Sequence, residues 1–285
     1  MEQKIERLMS LVQKCYESFI VAQNDSTLRP YLIKDTLPIL YFGDIEAYFK
    51  SQYKIITAAI NPSCSEFYYD ESNEQISYKR FPQFERIAKA NALNNDNILQ
   101  YLSALNSYFK TGNDYKKWFK TPERDNLFVP FGASYYDNAP NRAIHTDTLS
   151  PFATFPTWSK FTPQSQRERI QRRFSDIGIP LWNELVEILE PDIIFMSLNK
   201  KYISHIDFYK TFRDYITYPD KKYRGREPLK IQYGYINLNG KTTHIFNESI
   251  TFRKPFLATG KKYTIPLGKQ IFERFTNGTL QHSDS

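Results

Sequence analysis

Four short stretches of this 285-residue chain combine residue types able to do chemistry. Asn61-Pro62-Ser63 sets an amide directly before a proline. The residue before proline is pushed to an extended conformation, so the Asn61 amide can hold a water or a ligand in a fixed place. Asn-Pro also ends strands with no further role. His145-Thr146-Asp147 places two ionisable side chains two residues apart, on the same side if the segment is a strand. Such a pair serves as a base with its orienter, or as donors and acceptors around a bound base. A polar loop with an exposed histidine is the alternative. Ser197-Leu198-Asn199 and Gly260-Lys261-Lys262-Tyr263-Thr264 complete the set.

Basic residues form three clusters in the second half. Lys160, Arg167, Arg169, Arg172 and Arg173 come first, then Lys221, Lys222, Arg224, Arg226 and Lys230, then Arg253, Lys254, Lys261 and Lys262. The formal charge is +7 and the pI about 9.1. Cations interleaved with aromatic and glycine residues, as in Lys222-Tyr223-Arg224-Gly225-Arg226, suit phosphates and unstacked bases. Taken singly, each cluster also reads as a solvated face.

Several chemistries find no footing. The phosphate loop GxxxxGK[ST], the dinucleotide motif GxGxxG and the nucleophile elbow GxSxG do not occur. The only Glu-x-Lys triplet is Glu2-Gln3-Lys4, ahead of every expected strand, which disfavours nucleases that need Glu-x-Lys after an Asp. His145 has no second His or Cys at ligand spacing, so no metal is expected. Two cysteines, Cys15 and Cys64, are too few for a four-thiolate cluster or a disulfide framework. No iron–sulfur cluster and no other cofactor is expected.

The elements that must position these residues follow from periodicity. Ile5, Leu8, Met9, Val12, Cys15, Tyr16 and Phe19 make one apolar stripe, which predicts a helix over 3–22 with Cys15 in the core. Asp44 caps a short helix over 45–50. Lys54–Ile60 is β-branched and apolar, a strand buried on both faces as in a parallel sheet. Helices are expected over 96–110 and 115–120, the first with Leu99, Leu102, Leu105 and Phe109 on one side. Residues 144–149 form a short polar strand. A basic helix over 164–174 and an apolar one over 180–189 follow, then a strand over 193–197 after Pro191-Asp192. Asn239-Gly240 between residues 230–238 and 242–250 signals a hairpin. Pro255–Ala258 reads as a last core strand, 260–264 as a loop and 266–275 as a helix begun by Pro266. The alternation predicts a single α/β domain, a three-layer α/β/α sandwich with a mainly parallel sheet. The hairpin, about 221–250, is an insertion or an antiparallel edge. In such sheets ligands bind beyond the carboxyl ends of the strands, where the four stretches are expected to converge.

With these residues in view, the chain resembles the uracil-DNA glycosylase superfamily. Ile55-Ile56-Thr57-Ala58-Ala59-Ile60-Asn61-Pro62-Ser63 is similar to the strand and Asn-Pro loop of the mismatch-specific uracil/thymine branch. That branch usually carries Gly where Ala59 and Ser63 stand. Pro191-Asp192-Ile193-Ile194-Phe195 is similar to the superfamily's third core strand. The order of elements fits over about 54–275, with 1–52 and 205–250 as additions. The usual His-Pro-Ser-like final loop is replaced by Thr259-Gly260-Lys261-Lys262-Tyr263-Thr264.

The resemblance implies a DNA N-glycosylase acting on a flipped pyrimidine, with modified or mismatched bases as the expected targets. Asn61 would position the attacking water. His145, Lys261 or Tyr263 would stabilise the departing base. Phe67 or Tyr68 would stack on it, beside Pro62, Ser63 and Asp147. Arg167, Arg172, Arg173, Lys222, Arg224, Arg226 and Lys262 would meet the DNA. Antiphage members that excise bulky modified cytosines are part of the same superfamily. A non-catalytic DNA-binding protein and a small-molecule nucleosidase or hydrolase are the competing readings. No apolar run reaches membrane-spanning length, and the start lacks a secretory pattern, so a cytoplasmic protein is expected; the oligomeric state stays open, with a monomer favoured.

Overall fold

A computed structural model describes residues 1–90, 92–120, 122–198, 200–203, 206, 213–223, 227–248, 256 and 260–280. The architecture is a three-layer α/β/α sandwich. In chain order the strands are β1 (Ile55–Ala59), β2 (Ala133–Ser134), β3 (Asn141–Asp147), β4 (Ile193–Met196), β5 (Arg213–Tyr223), β6 (Glu227–Leu238) and β7 (Lys241–Glu248). They form one sheet in the order β2-β3-β1-β4-β7-β6-β5. β1 and β7 both run parallel to β4, whereas β6 and β5 are antiparallel additions at the edge.

Each core strand has a physical reason to sit where it does. All five residues of β1 and all four of β4 are buried, as expected of strands covered on both faces. β3 is also fully buried along its seven residues, although it begins with Asn141-Arg142. The Asn141 side chain and the Arg142 backbone are satisfied internally, and Arg142 Nη2 pairs with Asp137 Oδ1 at 2.8 Å. Asn141 accepts from the Gln52 N–H at 2.8 Å and donates to Phe131 O at 2.7 Å, and Ser51 Oγ accepts from the Arg142 N–H at 2.7 Å. A buried polar group with its hydrogen bonds made costs little. β3 therefore starts three residues before the expected strand.

The chain divides into two compact units. The first comprises Met1–Phe49, Ala59–Tyr115 and Ile144–Leu189. It holds α1 (Glu2–Asn24), the greater part of α2 (Ile45–Lys50), α3 (Phe84–Ala90), α4 (Asn95–Asn106) and α7 (Arg167–Leu189). The α1 stripe is buried at Leu8, Val12, Cys15, Tyr16 and Phe19. Asp44 Oδ1 accepts from the Ala47 N–H at 3.0 Å, the expected cap of α2. In α4 the buried residues include Ile98, Tyr101, Leu102, Ala104 and Leu105, while Leu99 is 60% exposed. Of the expected apolar side, Leu102, Leu105 and Phe109 are buried and Leu99 is not.

Helix α7 runs unbroken through Pro180, where two helices were expected. Proline removes one N–H, but Pro180 and Asp176, whose carbonyl loses its partner, both lie on the exposed face where water replaces the bond. On the opposite face Gly178 sits so close to β3's exit that a methyl group there would overlap the backbone of Leu149 and Ser150.

The second unit comprises Lys50–Ala58, Lys116–Ala143 and Glu190–Ser285. It contains α5 (Lys116–Phe119), α6 (Pro122–Phe128), α8 (Lys200–Ile203), α9 (Lys261–Thr276) and the strands β4 to β7. The predicted hairpin is present. Asn239 and Gly240 take φ values of 50° and 80°, the left-handed pair that a two-residue turn demands. One correction concerns topology. The neighbour of β4 is β7, the second arm of that hairpin, so this arm is a core strand rather than an insertion. The expected strand 255–258 lies outside the described residues apart from Phe256. Helix α9 starts at Lys261, five residues before Pro266, which lies inside it. Lys261-Lys262-Tyr263-Thr264 therefore forms its first turn instead of a loop.

Candidate functional site

The Asn61 loop and the end of β3 both belong to the first unit, and there the structure brings them together. The N–H groups of Thr148 and Leu149 donate to Ala59 O and Ile60 O at 2.8 and 3.0 Å. The chain leaving β3 thus runs beside the chain leaving β1. His145-Thr146-Asp147 and Asn61-Pro62-Ser63 accordingly share one edge of the sheet, the carboxyl edge of parallel strands.

Asn61 is half-buried and its amide is held firmly. Nδ2 donates to Pro62 O at 2.9 Å, Thr154 Oγ1 at 3.1 Å and Phe152 O at 3.3 Å. Two of these partners are carbonyl oxygens, which can only accept, so the amide cannot be turned over. Oδ1 is the end left to accept a hydrogen bond from a bound molecule. Thr154 also bridges to Ser63 through the backbone, which brings Phe155 beside the loop. Phe155 and Tyr69 pack with ring centroids 5.0 Å apart, and both remain half-exposed.

Ser63 begins a short 3₁₀ turn, Cys64–Phe67, with its Oγ accepting from the Ser65 N–H at 3.1 Å. This turn carries two side chains inward and one outward. Phe67 is fully buried against Tyr78, Phe81 and Phe84. Its ring belongs to the core, and the expected stacking role does not suit it. Tyr68, left-handed at φ 49°, points out and is 43% exposed. Cys64 is half-buried, and burial raises its thiol above the ordinary range.

Glu66 is the other inward residue. Its Oε2 accepts from the Tyr108 hydroxyl at 2.6 Å and lies 3.4 Å from Arg80 Nη1. Burial pushes the Glu66 carboxyl up to about 7. The Arg80 charge and the Tyr108 hydrogen bond pull it back, and Asp114 adds to the rise. Arg80 is itself fixed. Its Nε donates to Asn113 O at 2.7 Å and its Nη1 to Ser65 O. The guanidinium lies 4.5 Å from the ring centroid of Tyr68 and 4.9 Å from that of Tyr115, a cation between two π faces.

His145 and Asp147 share one face of β3, as the spacing predicts. His145 is buried, its backbone bonded both ways to Phe42 and its ring 5.4 Å from the Phe42 ring. Thr146 faces the other way and accepts from Trp182 Nε1 of α7 at 3.0 Å. His145 Nε2 lies 3.8 Å from Asp147 Oδ1, near enough to feel its charge and beyond hydrogen-bond reach. Asp147 is 6% exposed, and its Oδ2 is buried without a hydrogen-bond partner. The next side chain, Thr148 Oγ1, is in the same state. Burial, and then the charge of Glu66, drive the Asp147 carboxyl well above the ordinary carboxylate range.

Spacing pointed to Asn61, His145 and Asp147 but not to Glu66, Arg80, Tyr108 or Thr154. One signal for Glu66 was present. Ser63-Cys64-Ser65-Glu66 has the S-x-x-E spacing of a capping box, which puts an acid beside the loop. Here the carboxyl turns inward to Tyr108 and Arg80.

The remaining expected residues are spread over both units. In the first, Arg167 is half-buried with Nε donating to Phe161 O at 3.0 Å, Arg173 pairs with Asp25 and Thr27, and Arg169 and Arg172 are exposed. The Arg173 charge is thus already matched within the fold. In the second, Lys261 opens α9, Tyr263 is half-exposed, and Lys262 is exposed with Nζ 5.2 Å from the Tyr263 ring centroid. Lys222 lies in β5. Arg224, Arg226, Asn199, Arg253 and Lys254 lie outside the described residues. Among the described residues no group of three or more His, Cys, Asp or Glu could hold a metal ion. No helix among them is long and apolar enough to cross a membrane.

A scan of the sequence against protein-family models returned no match, and a search of curated proteins also found none.

Proposed function

We propose that the chain is a cytoplasmic DNA glycosylase. It would hydrolyse the N-glycosidic bond of a modified or mismatched pyrimidine flipped out of DNA, with phage DNA carrying modified cytosine as one target. The observation that carries the reading is the Asn61 amide. Three acceptors hold its nitrogen, and its oxygen is left at the carboxyl edge of the sheet beside a buried acidic centre. A carbonyl oxygen in that position can accept a hydrogen bond from water and aim it, though it cannot take its proton. Aiming suffices where the C1′–N1 bond breaks first and water adds to the resulting oxocarbenium-like sugar.

The rest of the loop supports the same reading. The half-exposed rings of Phe155 and Tyr69 stand beside the loop of Asn61, with Tyr68 exposed after the same turn, as stacking surfaces for an extruded base. Arg169 and Arg172 are exposed at the start of α7, where they suit phosphates. The test is base release from duplexes containing uracil, a G·T mismatch, 5-hydroxymethylcytosine or its glucosylated form, followed by alkaline cleavage of abasic sites. Strand breaks at the modified position on at least one duplex are expected. Intact strands on every duplex would remove this reading.

A further inference from the structure

Asn61 leaves half of the chemistry unassigned. When the glycosidic bond breaks, its electron pair stays on the base, and a base that is a poor anion leaves slowly unless a proton reaches it. A carboxyl stands nearby. Asp147 Oδ2 is buried and makes no hydrogen bond within the protein, an arrangement that costs about 1–3 kcal/mol. It stands at the end of β3, beside the loop that carries Asn61.

We propose that Asp147 is the general acid of this site and hands its proton to the departing base. The inference rests on the glycosylase reading above. In the step, C1′–N1 breaks with its electron pair passing into the base ring. The Asp147 hydroxyl proton moves to a ring nitrogen or exocyclic oxygen of the base, which leaves neutral. Asp147 remains as carboxylate. Water aimed by Asn61 Oδ1 adds to C1′ and releases one proton to solvent, and Asp147 regains one from solvent. The sum is one water consumed, one abasic sugar and one free base formed.

The surroundings keep Asp147 loaded. The charged and titratable groups around it are Glu66 on the turn after β1, with Arg80, Tyr108 and Asp114 behind it, and His145 on its own strand. Two carboxyls in one buried site cannot readily both ionise. Arg80 is bound to Glu66, to backbone carbonyls and to two rings, so its charge favours ionisation of Glu66 over Asp147. Glu66 is a positioning residue for this proton and does not touch the base.

The test is the pH dependence of single-turnover base release between pH 5.5 and 9 on whichever duplex the wild type cleaves. The wild type is expected to slow as pH rises through the titration of Asp147. Asp147→Asn is nearly isosteric and should lose about 10²- to 10⁴-fold in rate, along with that descending limb. Glu66→Gln removes the neighbouring negative charge, so it should keep the limb and move it to lower pH. Should Asp147→Asn fail to fold, the Glu66→Gln shift decides. An unmoved limb in Glu66→Gln, or a limb retained in a folded Asp147→Asn, overturns the proposal while leaving the glycosylase reading intact. No base release by the wild type from any duplex overturns both.

Discussion

Two strands end side by side in the first unit, and they end in opposite ways. Beyond β1, the nitrogen of Asn61 is bonded three times, Ser63 caps its turn, and Glu66 is held by Tyr108 and Arg80. Beyond His145 on β3, Asp147 Oδ2 and Thr148 Oγ1 are buried without a partner. The first end is built as a rigid aiming device. The second stores an unmet demand for a hydrogen bond, a cost that folding has to absorb elsewhere. Where a protein of marginal stability keeps such a group, a role in binding or chemistry is the natural account. On the proposed reading the contrast also divides the labour of hydrolysis, with water placed from one strand end and the proton supplied from the other.

The contrast can be broken from either side. At the satisfied end the effect falls on catalysis and spares binding. Asn61→Ala should lower single-turnover base release by about 10²- to 10³-fold and leave DNA affinity, measured by fluorescence anisotropy, nearly unchanged. A loss of affinity with no product from either protein would favour a binding protein instead.

The unsatisfied end should show itself in stability. A carboxyl whose folded-state pKa is raised binds its proton more tightly in the folded chain than in the unfolded one. Folding stability is then full below the unfolded value near 4 and declines as pH rises toward the folded value. Asp147→Asn removes that decline. The variant should match the wild type near pH 4 and gain on it at higher pH, by about 1.4 kcal/mol per pH unit across the window. Thermal melts at pH 5, 6 and 7 check this, at roughly 2–4 °C per kcal/mol. Parallel curves would show that Asp147 ionises freely in the folded protein.

The smallest effect lies away from both strand ends. The double variant Arg169→Ala, Arg172→Ala should reduce the slope of log affinity against log salt by about 2, with little change in single-turnover rate at saturating DNA. An unchanged slope would place the phosphate contacts on other clusters.

How much of this was legible in the sequence differs by element. The apolar stripe of α1, the buried run of β1 and the Asn239-Gly240 turn each combine pattern and local chemistry, and the structure follows them. Helix α7 was misread because Pro180 is a strong local signal whose cost depends on exposure, which a one-dimensional pattern does not carry. The start of β3 was missed for a related reason. Asn141 and Arg142 look like surface residues until Gln52, Ser51 and Phe131 arrive from elsewhere in the chain to bond them. At the site, Asn61, His145 and Asp147 could be picked out by type and spacing. The partners that determine their state, Glu66, Arg80, Tyr108 and Thr154, come from four separate segments, and no local spacing relates them.

The place where α7 crosses the chain leaving β3 also bears on how this protein can diversify. Because position 178 admits no side chain against Leu149 and Ser150, the wall behind Asp147 cannot be moved outward by small steps in sequence. A shift there requires the whole helix and Trp182 to move together. On the proposed glycosylase reading, new substrates, whether reached by natural variation or by a mutant library, would have to come from another wall. That wall is the segment around Tyr68, Tyr69 and Phe155, where side chains are partly exposed and can change one at a time. A library over those positions, with Gly178 held constant, should yield folded variants of altered base preference far more often than one built on α7.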